Sequence, residues 1–566
     1  MRWLKRQIWQ RFWRVAYPYW VSSERQGAIA LLVFVVLLSS ASSGFVVLET
    51  LQRGEVVSSL VSRNLNRFWQ ALLLFLAIVL VTIPVLALKN YVQAKLALHW
   101  RRWLTNRFLN QYFDNQIFYH ISNYADIDNP DQRIAEDIDN FTKQSLLFLA
   151  LVVDSSLQLL GFAGILWSIS PLLMAILISY VFAGTVLTSL IFGRVLIQIN
   201  FEQLKREADF RYSLARVREN AEAIAFYQGE THELKHVQQR FLAAFHNFSR
   251  LIRWQLSLTV FQNGYQYLTF LLPFILLAPR IFTGELEVGA VTQSQAAFER
   301  LGAIFGIVIM QFDKLSAFGA GVNRLDRFAE AMYQLAQNCT MPTIEMIPAT
   351  NLSIHQLTLI TPDTRKPLLK NLSVSVATGQ SLLITGASGI GKTSLLRAIA
   401  GLWQLGSGTI ARPARSDLLF LPQRPYLIPG SLRQQLLYPH NHKQLRDSQL
   451  MQVLQQVNLL HIACRFGGLD GIADWSSVLS GGEQQRLAFA RLLLTQPQYA
   501  LLDEATSALD EENEQRLYQL LQTLSLSVIS VGHRLTLVPY HQQVLQLTGK
   551  GVWKLMSAEQ YKLEQL

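Results

Sequence analysis

Charge is scarce in this chain of 566 residues. Asp, Glu, Lys and Arg make up 16% of it, against about 25% in a typical soluble domain. Half the residues are apolar. That balance excludes a disordered chain and an ordinary soluble multidomain enzyme. Cysteine is scarcer still. Cys339 and Cys464 are the only two, which excludes a disulfide scaffold and a cysteine-built zinc site. Internal repeats and low-complexity segments are absent from the sequence.

The missing charges are missing in blocks. Gln26 to Leu48, Phe68 to Leu88 and Trp254 to Pro279 contain no Asp, Glu, Lys or Arg. Each is long enough to cross the hydrocarbon of a membrane as a helix, which takes roughly 20 residues. From Gln144 to Gly193 the only charge is Asp154. That stretch reads as two spans turning near Ser168-Ile169-Ser170-Pro171. A sixth span runs from Val288 to Gly319. It is the least apolar, with Gln293, Gln295, Glu299, Arg300 and Gln311.

The net charge of +11 follows from basic residues flanking spans rather than from a nucleic-acid partner. Six Lys and Arg precede the first span, seven lie between spans two and three, and ten between spans four and five. The three opposite loops hold four together, with Arg53, Arg63 and Arg67 in the first of them. The asymmetry puts both termini and the two long connections in the cytoplasm. Residues 1–24 interleave Arg2, Lys5, Arg6, Arg11 and Arg14 with Trp3, Trp9, Trp13 and Trp20. A secretory signal would place an apolar run there. Interleaving instead predicts an amphipathic helix at the lipid surface. The membrane region spans 25–325, with long cytoplasmic connections at about 113–140 and 215–235. A linker follows over 326–350, containing Met341-Pro342 and Ile347-Pro348. From 351 to 566 short β-rich runs alternate with helical stretches, the pattern of an α/β domain.

Ser381-Leu382-Leu383-Ile384-Thr385 reads as a buried strand leading into Gly386-Ala387-Ser388-Gly389-Ile390-Gly391-Lys392-Thr393. This is a phosphate-binding loop, G-x-x-x-x-G-K-T. Its glycines let the backbone wrap phosphates and aim N–H groups at them. Lys392 suits the β- and γ-phosphates and the Thr393 hydroxyl suits Mg²⁺. The helix opening at Ser394 adds its positive end. A second apolar strand, Tyr499 to Leu502, ends in Asp503 and Glu504. Asp503 suits the Mg²⁺ shell through a water. Glu504 suits polarisation of the attacking water, because phosphoryl transfer depends on positioning and charge. Alone, the loop says only that the chain is an NTPase.

Leu479-Ser480-Gly481-Gly482-Glu483-Gln484 resembles the ATP-binding cassette signature L-S-G-G-x-Q. With it come Gln423 in Leu421-Pro422-Gln423, Ser507-Ala508-Leu509-Asp510, and His533 in Gly532-His533-Arg534. The order matches the ATPase domain of ABC transporters. The resemblance implies that Ser480, Gly481, Gly482 and Glu483 serve ATP held by a partner's phosphate loop, and that His533 contacts the γ-phosphate. It implies that Gln423 links nucleotide and metal to the membrane helices, and that Asp510 crosses the dimer. The chain has one cassette, so it is expected to be a half-transporter working as a homodimer. Many cassettes stack an aromatic residue on adenine; Leu357-Thr358-Leu359-Ile360-Thr361-Pro362 offers none.

The motifs Asp128-Asn129-Pro130-Asp131-Gln132-Arg133-Ile134 and Arg218-Glu219-Asn220-Ala221-Glu222-Ala223 lie in the two cytoplasmic connections. They resemble those of SbmA/BacA-like bacterial transporters and their peroxisomal fatty-acyl relatives. Leu421-Pro422-Gln423-Arg424-Pro425-Tyr426 and Trp475-Ser476-Ser477-Val478 agree. The implied fold is a six-helix, type I exporter-like membrane bundle followed by the α/β ATPase domain, in a bacterial inner membrane. Both connections are implied to hold coupling helices, docking through charges near Asp131, Arg133, Glu136 and Asp137. The implied cargo is cobalamin, a bleomycin-like compound or a peptide; the alternative is a fatty acid or acyl-CoA. An ATP-gated channel is the alternative of another class. A polar cavity is expected to be lined by Asp154, Gln262, Gln266, Gln295 and Glu299, because polar groups inside spans usually face a cavity or a partner. The other reading of these side chains is hydrogen bonding between helices.

Overall fold

The computed structural model describes residues 2–121, 127, 129–310, 312–336, 344–361, 365–439 and 445–565. Asp128, the 122–126 stretch of the first connection, Gln311, residues 337–343 of the expected linker and Pro362 thus lie outside the described residues. The chain divides into two compact units, Met1–Gln337 and Asn338–Leu566.

The first unit is helical: α1 (Arg2–Trp20), α2 (Arg25–Val61), α3 (Leu65–Phe113), α4 (Ile138–Ile169), α5 (Pro171–Thr188), α6 (Arg194–Glu219), α7 (Ala221–Phe226), α8 (Glu230–Phe282), α9 (Gly289–Met310) and α10 (Phe312–Ala336). Among the described residues five helical segments are long and apolar enough to cross a membrane: Arg25–Val61, Leu65–Ile121, Pro130–Ile169, Pro171–Glu219 and Glu230–Phe282. Leu37, Leu73, Leu80, Ile83, Phe182 and Ile275 are all more than half exposed. So much apolar surface in one contiguous unit requires lipid as its solvent. Local chemistry sets the turns. The Asn64 side chain accepts from the Arg67 N–H at 3.1 Å and caps α3. Ser170 is extended and Pro171 opens α5, so the chain reverses where the sequence places the turn. A π-turn at Ser189–Gly193 joins α5 to α6.

The expected sixth span is helical as α9, but its polar side chains make it less apolar than the other five. It is well packed all the same. Val291, Ala297, Phe298 and Leu301 are buried with Phe162, Ile165 and Leu166 of α4 and Leu277 of α8. A second core joins α1, α3, α4 and α10 through Tyr19, Trp100, Phe141 and Phe328. In α1, Val15, Ala16 and Tyr19 face that core, while Trp9, Trp13 and Tyr17 form an exposed stripe four residues apart. Arg11 and Arg14 pair with the buried Asp326 of α10 at 3.5 and 3.3 Å. In the first connection Arg133 and Asp137 face inward. Arg133 donates to Asp137 at 3.1 Å and Arg324 of α10 donates to the same carboxylate at 2.8 Å. Those two charges therefore serve the unit's own core, which corrects the expectation of a docking role. Asp131 and Glu136 stay exposed. In the second connection Phe226 and Tyr227 are 79% and 87% exposed.

The second unit is α/β. Its strands are β1 (Glu345–Pro348), β2 (Leu352–Ile360), β3 (Pro367–Val376), β4 (Ser381–Gly386), β5 (Gly406–Arg412), β6 (Leu418–Leu421), β7 (Gly430–Ser431), β8 (Ile472–Ala473), β9 (Tyr499–Asp503), β10 (Ser527–Val531), β11 (Gln543–Gly549) and β12 (Val552–Ser557). A six-stranded sheet runs β12-β11-β4-β10-β9-β6, parallel from β11 to β6. A four-stranded sheet runs β1-β5-β2-β3, and β7 pairs with β8. The helices that matter for the site are α11 (Lys392–Ala400), α12 (Leu460–Arg465), α13 (Gly481–Thr495) and α14 (Glu511–Gln522). The central strands are buried throughout: β9 and β10 expose no residue and are mostly apolar, with Ser527 and Ser530 in β10 and Asp503 at the end of β9 as their polar positions. Doubly covered parallel strands have that composition.

Candidate ATP site

The site forms where β4 and β9 end, with β10 between them. The carboxyl ends of parallel strands are where open α/β sheets bind ligands. The loop after β4 needs its glycines. Gly386, Gly389 and Gly391 have φ of +143°, +77° and +111°, a region other residues enter at a cost. A Cβ on Gly386 would stand 2.5 Å from the carbonyl oxygen of Leu547. Ala387, Ser388 and Ile390 complete the loop, and Lys392 with Thr393 and Ser394 opens α11.

Lys392 is buried and folds back on its own loop. Its Nζ donates to the carbonyls of Gly386 and Ala387 at 2.8 and 2.9 Å. Burial pushes its pKa down, against the pull of Glu504 and Asp503. The Thr393 hydroxyl donates to Asp503 Oδ1 at 3.0 Å. Burial pushes the Asp503 carboxyl up, and the Thr393 bond opposes it. Hard oxygen donors in this arrangement fit Mg²⁺.

Glu504 sits just past the end of β9 with φ of +49°. A non-glycine residue in that region stores backbone strain, and such strain gathers at functional sites. Its N–H donates to Val531 O at 3.1 Å, which holds it against the end of the parallel neighbour β10. Gln423 Nε2 donates to Glu504 Oε2 at 3.0 Å. His533 Nε2 lies 3.3 Å from Glu504 Oε1. Three residues that are 81 and 29 positions apart in the chain thus meet at one carboxylate.

The signature begins α13. Ser480 is its N-cap and accepts from the Glu483 N–H, while Glu483 reaches back to the Ser480 N–H in a reciprocal box. Gly481 and Gly482 form the first turn. A Cβ on Gly482 would meet Ala508 O at 3.0 Å. Asp510 caps α14, accepting from the Asn513 backbone N–H at 2.8 Å. Sequence motifs missed Gln485, which is buried and ties these pieces together. Its amide donates to Gln423 O at 3.1 Å and to Ser507 Oγ at 3.2 Å, and accepts from Ala508 N–H at 3.0 Å. Nothing local in the sequence separates it from the neighbouring Gln484. Within β2, where the sequence offers no aromatic residue, Leu357 and Leu359 are buried as core.

The membrane residues expected to line a cavity separate into three groups. Gln295 Nε2 donates to Glu299 Oε1 at 3.2 Å, one turn away. Gln262 and Gln266 are exposed on one face of α8. Asp154, the sole charge of its span, is not without a partner: Lys89 of α3 donates to its Oδ2 at 2.6 Å. Lys89 is 9% exposed and stands one residue past the charge-free run of the second span. Sequence reasoning stopped at that boundary and missed it.

Comparison with known proteins adds identity to this geometry. Residues 13–282 match the family described as ABC transporter transmembrane region 2, and residues 369–507 match the ABC transporter family. An ABC transporter ATP-binding protein of Synechocystis sp. is 44% identical over 95% of this chain and 82% of its own. ABC transporter D family member 2, chloroplastic, of Arabidopsis thaliana is 41% identical over 96% and 86%. The human lysosomal cobalamin transporter ABCD4 is 32% identical over 97% and 96%. The chain belongs to the ABC transporters: it is a multi-pass membrane half-transporter, related to the D subfamily, whose ATP-binding domain hydrolyses ATP to drive transport.

Proposed function

We propose that two copies of this chain form a homodimer in a bacterial inner membrane. The dimer moves a hydrophilic or amphipathic solute of the cobalamin class by alternating access coupled to ATP hydrolysis. The single observation behind this reading is the stoichiometry of motifs: one phosphate loop and one signature per chain. A site that needs both from different subunits is completed only by a second copy.

In this reading Lys392 leaves its two loop carbonyls for the β- and γ-phosphates. Thr393, Gln423 and, through a water, Asp503 are the residues that would hold Mg²⁺. Bound there, the ion neutralises charge on the β- and γ-phosphate oxygens. Glu504, held between Gln423 and His533, orients the attacking water. His533 contacts the γ-phosphate. Ser480, Gly481, Gly482 and Glu483 present the start of α13 to the nucleotide of the other subunit, where helix N-termini favour anions. Asp510 couples the two cassettes.

The membrane region comprises six spans in the type I exporter manner, with α9 as the sixth; its buried packing against α4 and α8 supports this. Residues 1–24 lie at the lipid surface, supported by the exposed stripe of Trp9, Trp13 and Tyr17. Gln262, Gln266, Gln295 and Glu299 line the pathway, while Asp154 bridges spans two and three through Lys89. Those polar groups favour a hydrophilic cargo, as does the relative whose name is lysosomal cobalamin transporter. The SbmA/BacA-like branch, read from the motifs of the two connections, fits the same cargo.

Glu504→Gln tests the site. The variant binds ATP, accumulates as a two-chain species with closed cassettes, and turns over at less than about 1% of the wild-type rate. Ordinary turnover would overturn the assignment.

A further inference from the structure

Glu483 faces two ways. Its Oε2 accepts from the Ser480 backbone N–H and from the Ser480 hydroxyl, both at 2.8 Å. Its Oε1 lies 3.0 Å from Nε2 of His461, on α12, 22 residues earlier in the chain. The imidazole is half exposed and the carboxylate is mostly covered, at 55% and 19%. Burial pushes the Glu483 carboxyl up, but the bonds from His461 and Ser480 outweigh it and hold the group below the ordinary range.

A serine hydroxyl has one proton to give. With that proton on Glu483, Ser480 offers an arriving phosphate only lone pairs. To donate to the phosphate the hydroxyl must turn away from Glu483. The carboxylate then loses a donor just as a second anion comes close. A donor on its far oxygen lessens both penalties. It draws charge away from Oε2, and it keeps the carboxylate partnered once Ser480 has left.

We propose that His461 is a positioning residue of the signature. By donating to Glu483 Oε1 it frees the Ser480 hydroxyl to donate to the phosphate held by the partner subunit's loop. The inference rests on the reading of Ser480 as a contact to the other subunit's nucleotide. The residue acts through Glu483 and touches no reacting atom itself.

Steady-state ATPase assays on the full-length chain in proteoliposomes test it. His461→Ala raises KM for ATP about fivefold, the worth of one charge-assisted hydrogen bond at a half-exposed site. Its kcat changes less than about twofold, because the chemistry at Glu504 is untouched. His461→Gln keeps a donor at that place and recovers most of the lost affinity. A His461→Ala KM equal to that of the wild type overturns the proposal. So does a Gln variant as impaired as the Ala variant, since ring packing rather than the donor would then matter. Mixed Lys392→Ala and Ser480→Arg chains in the same series separate the two levels. If the mixture recovers no ATPase activity, the composite-site reading fails; if it recovers activity while His461→Ala leaves KM flat, only the role of His461 fails.

Discussion

His541 is 4% exposed and both its ring nitrogens are used. Nδ1 lies 2.8 Å from Leu537 O and Nε2 lies 2.9 Å from Ser530 Oγ, which also accepts from the Tyr518 hydroxyl at 3.0 Å. A neutral ring with its proton on Nδ1 satisfies all three bonds. Burial pushes the pKa from its ordinary value of 6.5 down to about 4. The unfolded chain therefore binds a proton that the folded chain refuses between those values, so stability rises with pH across the window. The contribution is complete above pH 6.5 and lost by about pH 4, and amounts to about 3 kcal/mol. Thermal unfolding of the wild type should fall more steeply from pH 6.5 to 4 than that of His541→Gln. Parallel curves would contradict the account. The residue scale is also where sequence and structure differ most in legibility. Lys392, Thr393, Asp503, Glu504 and Ser480 are legible because each sits in a contiguous motif whose chemistry is local. Gln485, His461 and Lys89 are not, because their significance lies in partners 62, 22 and 65 residues away. No spacing rule reports such pairs.

At the scale of elements, the Lys89–Asp154 bridge joins α3 to α4 inside the apolar unit. Removing one partner of a buried pair leaves the other uncompensated and costs roughly 3–5 kcal/mol, whereas replacing both with apolar groups is close to neutral. Lys89→Met and Asp154→Leu should each lower the detergent-solubilised Tm by several degrees. The double variant should recover most of the loss. Additive losses would mean that the two charges act separately, and would return Asp154 to the solute pathway. Spans were readable as elements because hydrocarbon forbids free charge, so long charge-free runs announce themselves. Their true ends were not. α3 has 49 residues and α8 has 53, far beyond the roughly 20 needed to cross. Once outside the lipid, charge no longer marks the boundary. The polar residues of α9 mark the converse: packing against α4 and α8 keeps a helix in place that apolarity alone singles out less well.

For the whole molecule, the division into a lipid-facing helical unit and an α/β ATP-binding unit follows from patterning, since the first gathers its charges between long charge-free runs and the second alternates strand and helix. Dimerisation leaves no such trace in composition. It follows from a count, one phosphate loop and one signature in each chain. A mixture of Lys392→Ala and Ser480→Arg chains should accordingly regain activity that neither variant has alone. Only the mixed dimer pairs an intact loop with an intact signature. Random mixing makes half of all dimers mixed, each with one intact site, so about a quarter of the wild-type ATPase is expected if sites act independently. No recovery would place both motifs in service of one chain's own nucleotide. The central claim is that this chain, by itself, couples ATP hydrolysis to solute movement. The most direct test is ATP-dependent flux of labelled cobalamin in proteoliposomes holding only this protein, wild type beside Glu504→Gln. The account predicts flux in the wild type and none in the variant, with its direction given by the side on which ATP is added. Equal flux in both would contradict it.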